Sequence, residues 1–258
     1  MKVWFNYAFK LNFSEAVSHH AFCLRIIPAS NPVQKVISWQ LHINEKRDFY
    51  ETKDGFGNTL VFGAIDYPHH MFDVRILGEV QLESYMYQDN ESPLLYLHPS
   101  TLIPFSPLMY AYLNSLHVPQ DPFAKAIFLN QTIYNNFQYL QGVSTPTCDT
   151  DAFLSRKQGV CQDFSHLLIA LLRLNTIPAR YVNGFINGQG ETHAWVEAFL
   201  EGYWRGFDPT NGTLLYLEPY IKVAHGRDFF DARLNRGVFA GGGKQSINVT
   251  VTVTKDNQ

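Results

Sequence analysis

The amino-acid sequence predicts an α+β protein in which a β-rich region precedes a mixed region of helices and antiparallel strands. Three observations predict this class. Short runs of β-branched and aromatic residues fill positions 2–88, apolar residues recur at helical spacing over 121–175, and strand-like runs return from position 180. We therefore expect a β-rich N-terminal domain over residues 1–100 and a second domain over residues 101–258.

The first region holds three clear strand candidates, at residues 36–43, 59–65 and 73–86, and the turn residues 54–58 separate the first two. Four prolines follow within residues 92–107. Each proline removes a backbone donor and restricts the residue before it, so this stretch is expected to lack regular structure and to mark the domain boundary.

Helices are predicted next. Asp121 followed by Pro122 is a cap residue with proline at the first helical position, and apolar spacing extends this helix to about residue 137. A second helix is predicted over 149–156, with Gly159 as its end. A third begins at Cys161, and its apolar residues recur nearly all round, so it should be buried and central. It should end near Asn175.

Strands are predicted again at residues 180–186, 193–200, 203–207 and 247–253. The last of them alternates strictly between apolar and polar residues, which indicates one solvated face. The three glycines at 241–243 before it indicate a mobile loop.

Composition and cysteine usage exclude several classes of protein. With 46% hydrophobic and 17% charged residues the chain reads as globular, and a net charge of −3 argues against nucleic acid or an anionic membrane as the main partner. No uncharged apolar run reaches about 18 residues, and the strand-like start does not resemble a signal peptide, so we expect a cytoplasmic protein. The three cysteines show no repeated spacing, and neither a zinc motif nor a phosphate-binding glycine loop occurs. No metal and no cofactor is expected.

Cys161 is placed for chemistry, because it stands at the predicted start of the long apolar helix. The first turn of a helix has unpaired N–H groups and the positive end of the dipole, and both favour a thiolate over a thiol. The alternative is an inert cysteine that fills the core. Residues further along the chain decide between these two interpretations.

His193 and Asp208 are the predicted partners of that thiolate. A nucleophilic thiolate needs an imidazole, and the imidazole needs an acceptor on its far nitrogen. A tight turn at Glu201 and Gly202 would bring Asp208 within about two residues of the position opposite His193, where facing side chains are about 5 Å apart. Alternatively, His193 is a packing residue and Asp208 belongs only to a turn. Metal binding by His193 and Glu197 is disfavoured, because residues four apart on a strand are about 13 Å distant.

Five short motifs resemble those of bacterial transglutaminase-like proteins, in the same order. They are GVCQD at 159–163, IPARYV at 177–182, HAWVE at 193–197, FDPT at 207–210 and GRD at 226–228. The resemblance spans roughly residues 127–231, and the first hundred residues are similar to the β-rich N-terminal domain of that family. It implies a papain-like transglutaminase core, with a central helix packed on an antiparallel sheet. It also implies Cys161 as nucleophile, His193 as general base and Asp208 as the acceptor that orients the imidazole.

The predicted function is cysteine-dependent acyl transfer on an amide of a peptide or protein substrate. Hydrolysis, as by a cysteine protease or amidase, is favoured because no second substrate site and no acidic calcium loop can be identified. Two alternatives remain: a protein-glutamine transglutaminase that uses an amine acceptor, and a non-catalytic peptide-binding module. The intact set of cysteine, histidine and aspartate favours an enzyme.

The sequence also predicts roles for residues around the three candidate catalytic side chains. The backbone N–H of Cys161 is a natural oxyanion donor, and Tyr139 is a candidate for the second. Trp195 and Trp204 are expected to wall the cleft. Arg180 is expected to form a structural ion pair, and so are Arg227 and Asp228.

Overall fold

Antiparallel β-structure dominates the computed structural model, which describes residues 1–44 and 49–255. The described residues form an eight-stranded sheet, a six-stranded sheet, a two-stranded pair and a small number of helices. Of the predicted α+β architecture, the part built on antiparallel sheets is confirmed, and helices are few among the described residues.

The eight-stranded sheet is organised around one long strand at the N-terminus, which alternates buried and exposed residues as a half-buried strand should. Its members are β1 (Lys2–Leu24), β2 (Gln34–Ile43), β3 (Tyr50–Lys53), β4 (Thr59–Ile65), β5 (His69–Leu82), and, from later in the chain, β10 (Gly188–Gly190), β15 (Asn235–Ala240) and β16 (Gln245–Lys255). The three strands predicted in this region are confirmed, although the third begins and ends four residues earlier than expected.

The proline-rich stretch is more regular than predicted. A 3₁₀-helix covers Pro93–Leu97, and helix α1 (Pro107–Asn114) begins at the last proline of the stretch. Both helices place proline in the first turn, where a backbone N–H has no helical acceptor to lose. The Ser106 hydroxyl caps α1 by accepting the N–H of Met109 at 3.1 Å. The expectation of no regular structure here is therefore wrong.

The remaining helices are α2 (Pro122–Asn136), α3 (Thr150–Arg156), α4 (Cys161–Leu174) and the single turn α5 (Phe229–Ala232). Asp121 caps α2 as predicted, since its carboxylate accepts the N–H of Ala124 at 2.8 Å. Every residue of α4 from 163 to 173 is buried, and α4 packs against two strands of the six-stranded sheet. No helix of the described residues is long and apolar enough to cross a membrane.

The six-stranded sheet carries the motifs. Its strands are β6 (Met86–Tyr87), β9 (Ala179–Phe185), β11 (His193–Leu200), β12 (Tyr203–Asp208), β13 (Thr213–Leu214) and β14 (Ile221–Gly226), and the two-stranded pair is β7 (Gln138–Tyr139) with β8 (Gln158–Gly159). The strands predicted at 180–186, 193–200 and 203–207 are confirmed within one residue.

The two large sheets are joined by the C-terminal part of the chain. Strand β16 pairs with β1 along eleven residues and also with β10, which belongs to the loop between β9 and β11. Tyr7 of β1 stacks on Phe185 of β9 with ring centroids 5.3 Å apart. The last strand of the predicted second domain thus completes the N-terminal sheet, and the division at residue 100 stays a prediction.

Candidate active site

Cys161 is the first residue of α4, and the residues around it fix the start of that helix. The Asp163 carboxylate accepts the backbone N–H of Val160 at 2.8 Å and the hydroxyl of Ser144 at 2.8 Å. The carboxylate thereby satisfies a donor that the helix leaves unpaired. Cys161 itself is half-buried, so its sulfur lies where a helix start meets a cavity.

Gly159 is required by this helix start rather than by the end of the preceding helix. α3 ends at Arg156 and is followed by Lys157, whose left-handed φ of 57° closes it. A side chain at Gly159 would collide with the Asp163 carboxylate. The sequence prediction that Gly159 stops the second helix is therefore wrong, and the glycine instead allows Asp163 to reach back to Val160.

His193 and Asp208 are in contact, as the hairpin spacing predicted. In the register of β11 and β12, Val196 faces Phe207, which puts Asp208 two residues before the position opposite His193. The His193 Nε2 to Asp208 Oδ2 distance is 2.7 Å. Asp208 is fully buried beside β13.

Asp208 accepts four further hydrogen bonds that the sequence did not predict. The Tyr220 hydroxyl donates to Oδ2 at 2.7 Å and the Asn211 amide donates to Oδ2 at 2.8 Å. Backbone N–H groups of Thr210 and Asn211 donate to Oδ1. Burial alone would raise the pKa of Asp208, but the hydrogen bonds from His193, Tyr220 and Asn211 lower it below its usual value. The carboxylate is therefore held ionised although it is buried.

The ionised Asp208 acts on His193. Burial favours the neutral imidazole, but hydrogen bonds to Asp208 and to the Cys161 thiol raise the pKa of His193 to about 10. Because Nε2 is bound to Asp208, Nδ1 is the nitrogen left for the sulfur. The structure thus brings the three sequence-predicted site residues together: His193 contacts Asp208 and lines the same cleft as Cys161. The raised pKa keeps an imidazolium stable there near neutral pH.

A cleft of about 630 Å³ opens over Cys161 and His193. Its walls are the starts of α4 and β11, the β9–β11 loop and the segment after β7, and include Tyr139, Gln141, Gln162, Tyr181, Asn183, Glu191 and Phe229. Most of the polar residues that line it are uncharged amides and hydroxyls. Such groups can pair with the backbone of an extended peptide.

The two tryptophans do not wall this cleft, contrary to the sequence prediction. Trp195 and Trp204 are both fully buried within the sheet. The Trp195 indole donates to the Tyr85 hydroxyl at 2.7 Å, and the Trp204 ring lies 3.9 Å from the Arg180 guanidinium carbon. Trp195 lies on the same face of β11 as His193, two residues further along the strand, but Tyr85 and Tyr220 cover it. The motif alone does not reveal which other segments cover a side chain.

Tyr139 does border the cleft. The β7–β8 pair sets Tyr139 opposite Gly159, and the N–H of Leu140 donates to the Gly159 carbonyl at 2.9 Å. Burial raises the pKa of the Tyr139 hydroxyl, and the nearby Cys161 raises it further. The hydroxyl is thus a neutral donor within electrostatic reach of the sulfur.

A second group of charges lies along the same sheet and is buried. Glu197 Oε2 accepts Arg180 Nε at 2.7 Å and Lys222 Nζ at 2.7 Å, while Oε1 accepts the hydroxyls of Tyr85 and Tyr87. Arg180 also pairs with Asp89 and Glu91. The structural ion pair expected of Arg180 is present. Lys222 was missed, although a lysine between Ile221 and Val223 in a buried strand was a usable signal.

Arg227 and Asp228, which were expected to form a structural ion pair, have other partners, and only Arg227 forms an ion pair. Arg227 Nε binds Asp231 at 2.8 Å, and Asp228 caps α5 by accepting the N–H of Phe230 at 2.9 Å. His166, on α4, is buried and accepts the N–H of Phe229 at 3.1 Å, which is a packing role. Within residues 1–44 and 49–255, no group of three or more metal-ligating side chains converges.

Known proteins similar to this chain share both of its regions. Residues 111–209 match the family model described as "Transglutaminase-like superfamily", and residues 5–81 match that described as "Bacterial transglutaminase-like N-terminal region". The uncharacterized protein ML0607 of Mycobacterium leprae is 26% identical over 254 residues, which are 90% of each chain. The uncharacterized protein Rv2569c of Mycobacterium tuberculosis is 34% identical over 154 residues, 53% of this chain and 49% of that protein.

A solved structure shows the same fold. The crystal structure of a protein from Cytophaga hutchinsonii, provisionally described as a cysteine protease, has a TM-score of 0.82 to this chain at 21% identity. The match covers 100% of this chain and 92% of that one. The two family matches together span more than half of the sequence and agree with the five motifs. The chain belongs to the transglutaminase-like superfamily and carries the bacterial transglutaminase-like N-terminal region.

Proposed function

We propose that this protein is a cysteine-dependent acyl-transfer enzyme that hydrolyses an amide bond in a peptide or protein. The observation that carries the proposal is the buried His193–Asp208 contact of 2.7 Å at the edge of the cleft that also holds Cys161. A thiol, an imidazole and a carboxylate in that order are what nucleophilic attack on a carbonyl requires. Family membership supports the same chemistry, and a papain-like arrangement of helix start and sheet would supply it.

In the first half of the reaction the Cys161 thiolate attacks the amide carbonyl carbon. A C–S bond forms, and the carbonyl oxygen becomes an oxyanion that the backbone N–H of Cys161 can receive at the positive end of α4. The hydroxyl of Tyr139 is the candidate second donor. The His193 imidazolium then protonates the leaving nitrogen as the C–N bond breaks, which leaves a thioester on Cys161 and a neutral imidazole.

In the second half an acceptor attacks the thioester carbon while His193 removes the acceptor's proton, and the C–S bond breaks so that the Cys161 thiolate and the imidazolium are restored. Water gives the carboxylic acid, and an amine would give a new amide. We favour water, because among the described residues that line the cleft the single carboxylate that could hold a cationic amine is that of Glu191, on the exposed loop. Asp208 keeps its charge throughout and stabilises the imidazolium.

The decisive experiment is covalent trapping by a peptide that carries a thiol-reactive group in place of the reacting amide. We expect one adduct, on Cys161, and its loss in Cys161→Ala. Turnover of peptide amides is then followed with and without a primary amine, and the products are identified by mass. A predominance of the amine-linked product would instead support a transglutaminase. Binding of peptides without adduct or turnover would support a non-catalytic module.

A further inference from the structure

Two smaller cavities lie between the cleft over Cys161 and the N-terminal sheet, and each shares wall residues with the one before it. A cavity of about 90 Å³ shares Asn183, Thr192 and Phe229 with the cleft. A further cavity of about 220 Å³ shares Arg233 and Asn235 with that one. The three cavities therefore form a series that starts at the nucleophile and ends at the sheet.

Arg233 stands at the junction of the second and third cavities. It directly follows α5, and it lies four residues after Phe229, which borders the cleft itself. At a rise of 1.5 Å per helical residue, the two positions are separated by about 6 Å. An extended peptide advances about 3.3 Å per residue, so this separation corresponds to roughly two residues of a bound peptide.

The charge of Arg233 is not neutralised by the protein. Among the described residues no carboxylate lies within ion-pair distance of Arg233. Its guanidinium carbon lies 5.9 Å from the centre of the Phe230 ring. The nearby Arg25 is neutralised by Asp54 at 2.8 Å, whereas Arg236 has no such partner in the described chain. This part of the groove therefore has an excess of positive charge.

The surroundings strengthen any ion pair formed there. Burial lowers the pKa of Arg233, and the positive charges of Arg236 and Arg25 lower it further. The third cavity has apolar walls, which include Phe9, Leu11, Phe22, Leu24 and Phe72. An arginine beside an apolar surface is screened less by water, so its attraction for a carboxylate is larger than at an open surface. In the residues that line the cleft and the second cavity, the single carboxylate is that of Glu191, on the exposed loop.

We propose that Arg233 binds a carboxylate of the substrate, so that the amide attacked by Cys161 belongs to an acidic peptide. The proposal rests on the proposed function and adds the substrate class. It also gives the N-terminal sheet a role, because its wall completes the groove in which the carboxylate lies. Arginine suits this task since its planar fork can donate two parallel hydrogen bonds to a carboxylate.

The test is a series of fluorogenic peptides with one reacting amide, in which glutamate is moved through the positions on either side. Each peptide has a twin with glutamine at the same place. A further pair ends in a free carboxylate or in a carboxamide, which distinguishes a side-chain carboxylate from a terminal one. The enzymes are the wild type, Arg233→Gln, Arg233→Lys and Arg75→Gln. Arg75 is an exposed arginine on β5 outside the three cavities, so it is the matched control.

We expect one position at which a carboxylate raises kcat/KM of the wild type about tenfold or more over its uncharged twin. Arg233→Gln should abolish this preference and leave turnover of the uncharged twin within about twofold. Arg233→Lys should keep part of the preference for a carboxylate, and Arg75→Gln should keep all of it. Added salt should reduce the preference in the wild type.

The proposal is overturned if Arg233→Gln slows acidic and uncharged peptides equally, or if the preference survives that substitution. Failure of the proposed function looks different: Cys161→Ala would then turn over peptides as well as the wild type, or no peptide would be turned over at all. In that last case binding of the same peptide pairs to Cys161→Ala, measured by fluorescence anisotropy, still decides whether Arg233 reads a carboxylate.

Discussion

The six-stranded sheet carries two buried charged groups, and each includes a residue of β11. The first is His193 with Asp208, and the second is Glu197 with Arg180 and Lys222. In each a carboxylate with no exposed surface receives several donors. They differ at their far end. The donors around Glu197 lead to the buried hydroxyls of Tyr85 and Tyr87 and, through Arg180, to Asp89 and Glu91, whose side chains are partly exposed. His193, by contrast, connects Asp208 to the open cleft that also holds the half-buried thiol of Cys161. The same kind of interaction therefore stabilises the fold in one place and borders an accessible thiol in the other.

The largest expected effect is on turnover when the accessible group is removed. Cys161→Ala and His193→Ala should each lower kcat/KM by about a thousandfold or more, and the double variant should be no slower than either, because the two residues act as a unit. Turnover of a responsive peptide and the unfolding free energy are measured in parallel. Near-normal turnover in His193→Ala, or a loss that only follows unfolding, would make His193 a structural residue and favour the binding module.

Substitution in the Glu197 group should affect stability rather than turnover. Glu197→Gln leaves Lys222 buried without a carboxylate and weakens the pairing of Arg180, which should cost about 3–5 kcal/mol of unfolding free energy. Activity per folded molecule should stay within about threefold of the wild type. Chemical denaturation measures the first quantity and turnover the second.

The matched control for Glu197 is Glu201→Gln. Glu201 pairs with Arg205, but its side chain is 65% exposed, so solvent screens the pair and its loss should be close to neutral. If the two substitutions destabilise the protein equally, burial is not what makes the Glu197 group important, and the contrast between the two regions fails.

A smaller, pH-dependent effect is expected for Asp208→Asn. Because the pKa of His193 is raised from 6.5 to about 10 in the fold, the imidazolium is present over neutral pH and is lost as the pH rises through about 10. The kcat/KM of the wild type should fall as the pH rises through about 10. The stability that the His193–Asp208 pair contributes should be fully present below about pH 6.5 and should be lost over the same rise in pH. The Asn variant should be about a hundredfold slower, with its alkaline limb moved to lower pH. An unmoved limb would show that Asp208 does not set the protonation of His193.

The smallest expected effect compares the cysteines with one another. Cys161 should react with iodoacetamide near pH 7 about ten times faster than Cys148 or Cys23, since only Cys161 lies beside an imidazolium. Cys148 is buried, with Arg156 Nη2 3.5 Å from its sulfur, and Cys23 lies on β1. Mass spectrometry of partially alkylated folded protein measures the three rates. Equal labelling of Cys23 would contradict the assignment of Cys161 as the nucleophile.

Much of this site could be predicted from local pattern. The strand at 193–200, the turn at Glu201 and Gly202 and the strand that follows determine the register, and the register alone brings Asp208 near His193. The start of α4 at Cys161 was equally readable, because an apolar helical run begins there. These are short-range features, in which residues fewer than about twenty apart meet through one element or one turn.

Contacts between distant segments could not be predicted in that way. Four features depend on how separate elements pack. They are the hydrogen bond from Tyr220 to Asp208, the ion pair of Lys222 with Glu197, the pairing of β16 with β1 and β10, and the position of Arg233 beside the groove. Trp195 shows the limit most clearly, since it lies on the same strand face as His193 but is covered by Tyr85 and Tyr220, which come from distant segments. The sequence by itself predicted the elements around the site and the approach of Asp208 to His193, because periodicity and turn chemistry act locally. Only the tertiary structure decided which buried charges stabilise the sheet and which border the cleft over Cys161, because burial depends on what every other segment covers.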